Sequence, residues 1–392
     1  MAKNDSPPPA DGIHAMLPRD KMTESARLLR DTYAMTPGAR LFRREFGYME
    51  GVVEQWQKEG LDPKANFSEV FSYDPTGNYG LGHLGWCEAA FAPAFEDKIV
   101  EDRGDYEVYQ DYAGRHLLVF KGRRQGFMPE YINHPVKDMK TWVEDVRWRL
   151  DPKTPERWAN FEKHVADAKA AAGRGLMIQQ NVIGGYMYLR SLIGPMDLMY
   201  AWYDMPDVVH DCMKTWLELA DAVTARFQQH LTFDELFFGE DICYNHGPLC
   251  SPAMMREFLL PYYQQLKANI RSRQIDKSRH LYFQIDTDGF ADPVIPIYRE
   301  SCGMDAMSPF EVASNCDVVR TSKEYPDLAI FGGIDKRILA QGKKAIDRMV
   351  ERILPPMRAR GGYIPTCDHS VPLEVSLENY RHYRKRCLEL GG

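Results

Sequence analysis

The sequence contains no apolar run approaching the ~20 residues that a membrane-crossing helix requires, and no basic stretch leads into an apolar one near its start. Neither membrane insertion nor a secretory leader is expected. Its eight cysteines are scattered over 392 residues without a Cys-x-x-Cys pair. That excludes a disulfide framework, a structural zinc knuckle and a thioredoxin-type motif, and makes a reducing cytoplasm the expected compartment. Positive charge is not in excess: 49 Lys and Arg stand against 56 Asp and Glu, a net charge of −7. A nucleic-acid partner, which needs a basic face, is not expected. Also missing are Gly-x-x-x-x-Gly-Lys-Ser/Thr, which would cradle phosphates, and the Gly-x-Ser-x-Gly elbow of serine hydrolases.

What is present suffices for a large packed core, with 44 % hydrophobic and 12 % aromatic residues. Residues 1–20, with three consecutive prolines, read as a mobile arm, and 21–392 as one domain. Helical spacing appears over 21–32 and over 37–59, the latter through Phe42, Phe46, Met49, Val52 and Val53. It returns over 138–149, 155–172, 206–227 and 252–270. Residues 102–123, around Ala113-Gly114-Arg115, read as an inserted β-hairpin that could serve as a lid. Short runs rich in β-branched or aromatic residues alternate with the helices at 176–182, 235–238, 281–285, 304–307, 328–331 and 362–364. Such alternation predicts β/α units and a parallel sheet. One Gly-x-Gly-x-x-Gly match, at Gly80, Gly82 and Gly85, follows turn residues and no apolar strand, so it predicts no dinucleotide site. The expected architecture is an α/β fold, a (β/α)8 TIM barrel with an N-terminal helical extension and a β-hairpin insertion.

In such barrels function sits at the C-terminal ends of the strands. The runs are followed by Gln179-Gln180-Asn181, Gly239-Glu240-Asp241, Asp286-Thr287-Asp288-Gly289, Ser308-Pro309-Phe310-Glu311, Gly332-Gly333 with Asp335, and Cys367-Asp368-His369. Carboxylates gathered at one mouth raise one another's pKa, so one of them can stay protonated as a general acid, or together they can hold a cation. Glu240, Asp286, Asp288 and His369 are the candidate catalytic residues. Asp288 and Asp335 also fit the alternative of helix caps. Asp286 and Asp288 fall on the same face of an extended segment, and with Cys367 they are the candidate ligands of a divalent metal, should one be bound. Asn181, Asp241, Tyr186, Tyr188 and His83 are candidates for lining the substrate pocket. The tyrosines have a core role as their alternative, and His83 that of an ordinary loop histidine.

Several of these stretches resemble the uroporphyrinogen decarboxylase superfamily, in matching order over roughly 170–385. They are Gly247-Pro248-Leu249-Cys250-Ser251-Pro252, Phe258-Leu259-Leu260-Pro261-Tyr262-Tyr263, Asp286-x-Asp288-Gly289, Pro309-Phe310-Glu311, Gly332-Gly333-Ile334-Asp335 and Asp368-His369-Ser370-Val371-Pro372. The resemblance implies a (β/α)8 barrel and either of two activities: decarboxylation in the tetrapyrrole pathway, or methyl transfer to or from corrinoid proteins. His369 resembles the histidine of the decarboxylase tail motif. The decarboxylases' arginine-rich N-terminal motif has no counterpart, since the stretch from Arg40 to Arg44 reads as a basic helix, and an acidic mouth would repel a poly-anionic porphyrinogen. In the thiol-activating methyltransferases, zinc is held by His-x-Cys and a distant Cys. Here Asp286-Thr287-Asp288 stands in that place and Cys367 roughly matches the distant Cys, a harder set that is poor for a zinc–thiolate site. The expected activity is therefore transfer of a methyl group from a small donor, an aromatic methyl ether among the options, to the cobalt of a corrinoid (cobalamin). That corrinoid belongs to a separate partner protein, since the chain has no Asp-x-His-x-x-Gly motif. A decarboxylase and a non-catalytic tetrapyrrole-binding barrel are the alternatives, and a homodimer is compatible with either.

Overall fold

A computed structural model describes residues 21–122 and 129–392. The expected arm over 1–20 and the last residue of the expected insertion, Arg123, lie outside the described residues. The strands, in chain order, begin with β1 (Asn78–Leu81), followed by β2 (Lys98–Arg103), β3 (Tyr106–Gln110), β4 (His116–Phe120) and β5 (Glu130–Asn133). Then come β6 (Met177–Ile183), β7 (Glu235–Gly239), a small hairpin of β8 (Cys243–Tyr244) and β9 (Gly247–Pro248), β10 (Tyr282–Asp286), β11 (Ala306–Ser308), β12 (Ala329–Phe331) and β13 (Tyr363–Ile364). One sheet has the order β1-β6-β7-β10-β11-β12-β13, every neighbouring pair parallel. This is the curved parallel sheet of a TIM-type barrel, with helices between successive strands. Strands β6, β7, β10, β11, β12 and β13 fall on the six expected runs.

Three expectations need correcting. β1 is a strand that includes Gly80, the first glycine of the Gly-x-Gly-x-x-Gly match, so that match does begin on a strand. A side chain at Gly80 would bring its Cβ within 2.9 Å of the Asn181 Nδ2, so glycine here serves close strand packing. The expected hairpin is part of a four-stranded antiparallel sheet, β2-β3-β4-β5, whose β3–β4 turn is Ala113-Gly114-Arg115. Its turn is tied by Arg115, which donates to Asp111 and Glu88. Finally, only Val52–Lys58 of the expected 37–59 helix is helical. Residues 41–47 form no helix or strand. Phe42 joins the apolar floor of the barrel, Arg44 stands over the Phe331 ring, and Phe46 lies against His369. Glu45 accepts the Cys367 N–H at 2.7 Å and the Tyr380 hydroxyl at 2.8 Å. This stretch stitches the two ends of the sheet: Gly47 O accepts from Val371 N, and Arg43 O accepts from Asp74 N just before β1.

The floor is closed by the helix Glu24–Tyr33, capped by Thr23, whose side chain accepts from Ala26 N. Its Met22-side and inner residues Ala26, Leu29 and Tyr33 pack with Met177, Tyr282, Ala306, Ala329, Phe331 and Ile364 from inside the strands. Outside, strand residues pack on the helix layer, as where Phe238 of β7 meets Trp216 and Tyr263. Trp216 lies on the helix Pro206–Phe227, which starts on a proline that needs no N–H there and buries Val209, Met213, Trp216 and Val223 along one stripe. Among the described residues no helix is long and apolar enough to cross a membrane.

Candidate active site at the barrel mouth

Strand parity decides which polar residues meet. Along β10, Tyr282, Gln284 and Asp286 alternate with Phe283 and Ile285. Tyr282 stacks on Tyr33 and Gln284 bonds the Tyr33 hydroxyl, so the Tyr282–Gln284–Asp286 row faces the barrel interior. Asp286 is half-buried there and accepts from the Ser308 hydroxyl, its register partner on β11. Thr287 turns outward, and its hydroxyl accepts the N–H groups of Ile242 and Cys243, pinning the loop after β7. Asp288 turns inward again, with Oδ2 3.6 Å from the His369 Nε2. Around them, Asp241 pairs with Arg190 at 2.7 Å, and Glu311 pairs with Lys336 at 3.3 Å. Glu311 also accepts the Gly289 N–H, which fixes the loop that carries Asp288.

This crowding separates the titrations. Burial, then Asp241, pushes the Asp286 carboxyl up to about 6, against the Ser308 hydrogen bond and the charge of Arg44. Asp288 is pushed up to about 8 by burial and by Asp241, Asp286 and Glu311, against Lys336. Burial and then Lys336 hold His369 below its ordinary value. At neutral pH the mouth therefore carries an ionised Asp286, a protonated Asp288 and a neutral His369. The two acids interact, so these values belong to the cluster as a whole.

Other candidates lie elsewhere. Glu240 continues the outward row Leu236–Phe238 of β7, and its two oxygens accept from the Tyr263 hydroxyl at 2.8 and 2.7 Å. It is wedged beneath Gly184, where any side chain would collide with it. Glu240 is thus a buried acid of the helix layer, pushed up to about 7 chiefly by burial, and it is not part of the mouth. A raised folded-state pKa gives stability that is present below the ordinary carboxyl value and drains as pH rises through about 7. Glu240→Gln should accordingly lose less melting temperature than the parent between about pH 6 and pH 8, as read by thermal denaturation; an unchanged slope would contradict this placement.

His83 points away from the mouth, 3.0 Å from His164 on the helix Phe161–Gly173 and against Phe227. Tyr188 is buried in the helix layer beside Trp216 and Leu219. Tyr186 is fully buried with its hydroxyl unpartnered, close enough to Arg190 and Asp241 to feel their charges. Asn181 does face inward, beside Gly80. Cys367 is fully buried on the outer side near Glu45 and Cys387, so it does not join Asp286 and Asp288 as a third metal ligand. Asp335 is the cap of the helix Lys336–Leu339, whereas Asp288 caps nothing.

Two aromatic residues at the mouth escaped the sequence reading. Trp86, 50 % exposed, stacks on Phe237 with ring centroids 5.5 Å apart, over the space that Gly239 leaves open. Phe46, 41 % exposed, lies 4.9 Å from the His369 ring. Phe46 was read only as part of a helical apolar spacing, and Trp86 as one residue of a glycine-rich loop.

The pattern of the uroporphyrinogen decarboxylase (URO-D) family matches residues 136–389. The chain belongs to that family. In structure it is similar to a methyltransferase from Methanosarcina mazei, at 14 % identity, over 93 % of this chain and 98 % of that one, with a TM-score of 0.56. A putative vitamin-B12 independent methionine synthase from Listeria monocytogenes is 14 % identical over 59 % of this chain and 70 % of its own, with a TM-score of 0.33. No curated protein sequence matches the chain.

Proposed function

We propose that the protein is a methyltransferase that takes a methyl group from a small donor, an aromatic methyl ether by preference, and passes it to a corrinoid carried by a separate protein. The observation that carries this reading is the Asp288 carboxyl, 3.6 Å from the His369 ring and crowded by Asp241, Asp286 and Glu311, at a mouth walled by half-exposed Trp86 and Phe46; burial and those acids push Asp288 up to about 8, which favours its protonated form. An alkoxide or phenoxide is a poor leaving group until it is protonated. The reduced corrinoid, a co-substrate, supplies the nucleophile that takes the methyl group. Asp288 gives its proton to the ether oxygen as the C–O bond breaks. Ionised Asp286 keeps that proton on its neighbour until then, and His369 stands 3.6 Å from the Asp288 carboxyl. Trp86 and Phe46 offer flat faces to an aromatic donor. The family resemblance and the methyltransferase likeness agree with this chemistry.

Decarboxylation is the second reading, and Arg44 favours it. Its guanidinium makes no ion pair among the described residues, reaches the Phe331 ring inside the barrel, and would meet a substrate carboxylate there. The stretch that carries it is not helical, which corrects the basic helix expected from sequence. The test is to mix the protein with a reduced corrinoid protein and a panel of methoxyarenes, methanol and methylamines, and to follow the visible spectrum. Conversion to the methylated corrinoid with a methoxyarene is expected. No conversion with any donor, together with CO2 release from a carboxylated substrate, would replace this reading with the second.

A further inference from the structure

We propose that the antiparallel sheet β2-β3-β4-β5 acts on donor selection through Glu88: gripped by Tyr112 and Arg115 at the β3–β4 turn, Glu88 holds the Trp86 ring in place as the wall that receives an aromatic ring. Residues 82–88, between β1 and that sheet, form a loop with an anchor at each end and Trp86 between them. At its start His83 sits in the left-handed region, at φ 79°, and its Nε2 meets the His164 Nδ1 at 3.0 Å. A residue with a Cβ stays in that conformation only where its surroundings hold it. At the other end, one Glu88 oxygen accepts from the Arg115 guanidinium at 2.8 Å and the second accepts from the Tyr112 hydroxyl at 2.9 Å. Gly85, at φ 75°, closes the turn between them. A Cβ there would lie 2.1 Å from the Glu88 O, so the Glu88 backbone packs directly on the residue that precedes Trp86. A displacement of Glu88 is therefore passed to Trp86.

The grip is firm on the side of the sheet. One Asp111 oxygen accepts the N–H groups of Ala113 and Arg115 at 3.0 and 2.9 Å, and the other accepts the Arg115 Nε at 2.9 Å. The same guanidinium stands 4.7 Å from the centre of the Tyr131 ring on β5. The turn is seated on Phe95, whose N–H donates to the Tyr112 O at 2.9 Å and whose ring would lie 2.9 Å from a Cβ at Gly114. The Arg115 side chain is 9 % exposed and that of Glu88 19 %, so water competes for this pair far less than for an ion pair on the open surface. On the side of the mouth, the Trp86 ring lies 11° from parallel with Phe237 and would touch a Cβ at Gly239 at 3.4 Å. Gly239 is the register partner of Asp286, so the ring stands beside the acids of the mouth. An indole that stays half exposed gains only part of the free energy of burial, and its placement depends on the loop that carries it.

Glu88, Tyr112 and Arg115 are thus positioning residues that act through Trp86. The aromatic donor rests on the proposed function; the hold on Trp86 does not. The test is 19F NMR of the full-length protein carrying 5-fluorotryptophan, with the Trp86 signal assigned by its loss in Trp86→Phe, and titration with methyl phenyl ether. Glu88→Ala should narrow the Trp86 signal and move it toward that of free 5-fluorotryptophan, while the signals of buried Trp56 and Trp216 stay in place. The same variant should bind the ether about five- to tenfold more weakly, the worth of one aromatic contact. Tyr112→Phe removes a single half-exposed hydroxyl and should move the Trp86 signal the same way by less. Glu88→Gln should keep the parental signal, because its amide can accept from Arg115 and donate to the Tyr112 oxygen. A Trp86 signal that does not move in Glu88→Ala would overturn the proposal. So would a joint shift of all the tryptophan signals, which marks general loosening, or a moved Trp86 with ether binding unchanged. A parent that binds no ether, with the Trp86 response intact, would count against the proposed donor only.

Discussion

Asp288→Asn should slow methyl transfer by about 100-fold or more, while raising the melting temperature at alkaline pH by about 1–3 °C. The carboxyl of Asp288 is lifted to about 8 by burial and by the acids Asp241, Asp286 and Glu311, which on the proposed reading makes it the neutral proton donor. Asparagine has similar volume and polarity but no acidic proton to give a leaving oxygen. The stability effect follows from the sign of the shift. In the unfolded chain the group titrates near ~3.9, so folding takes up a proton between that value and about 8. The stability it contributes is full below the lower value and is lost as pH rises through the upper one. An asparagine never ionises and escapes that loss. The gain should therefore be larger at about pH 9 than at about pH 6, measured by thermal denaturation alongside single-turnover methylation of the corrinoid. Full turnover in Asp288→Asn, or a collapse of stability at every pH, would mark the residue as structural.

The rate should also fall about tenfold per pH unit above an apparent limb near 8, since the donor must be protonated. The neighbours should move that limb in opposite directions. Lys336 favours the ionised form of Asp288, so Lys336→Gln should carry the limb to higher pH; Glu311 opposes ionisation, so Glu311→Gln should carry it lower. A pH–rate profile for the three proteins decides this. Parallel movement of the limb in both variants, or a limb that neither moves, would remove Asp288 from the acid role.

How far these residues were readable without coordinates depended on parity and on distance along the chain. Strands β6, β7, β10, β11, β12 and β13 were legible because short apolar runs bounded by turns have few other uses. β1 was not, since Asn78-Tyr79-Gly80-Leu81 offers a single fully buried side chain, Leu81. The stretch from Phe42 to Phe46 was misread because an apolar spacing of four fits one helical turn, while here the chain is held without regular structure by distant partners such as Phe331, Cys367 and His369. Asp286, Asp288 and His369 were legible as polar strand ends. Glu240 was misplaced although the same parity applied to Leu236 and Phe238 would have turned it outward. Trp86 on Phe237 and Phe46 on His369 are contacts between residues far apart in sequence, which no local pattern encodes. Tyr188 and His83 carried chemistry-bearing side chains, but local sequence could not say that both face the helix layer.

The most direct test of acid-assisted methyl transfer is the dependence of rate on the leaving group. Single-turnover methylation of the reduced corrinoid protein would be measured with a series of ring-substituted methyl phenyl ethers, for the parent and for Asp288→Asn. If Asp288 protonates the departing oxygen, the parent should respond weakly to the acidity of the phenol released. The variant should respond steeply, losing most with the poorest leaving groups and least with the best. An equal loss across the whole series, or parallel slopes for the two proteins, would contradict the role assigned to Asp288.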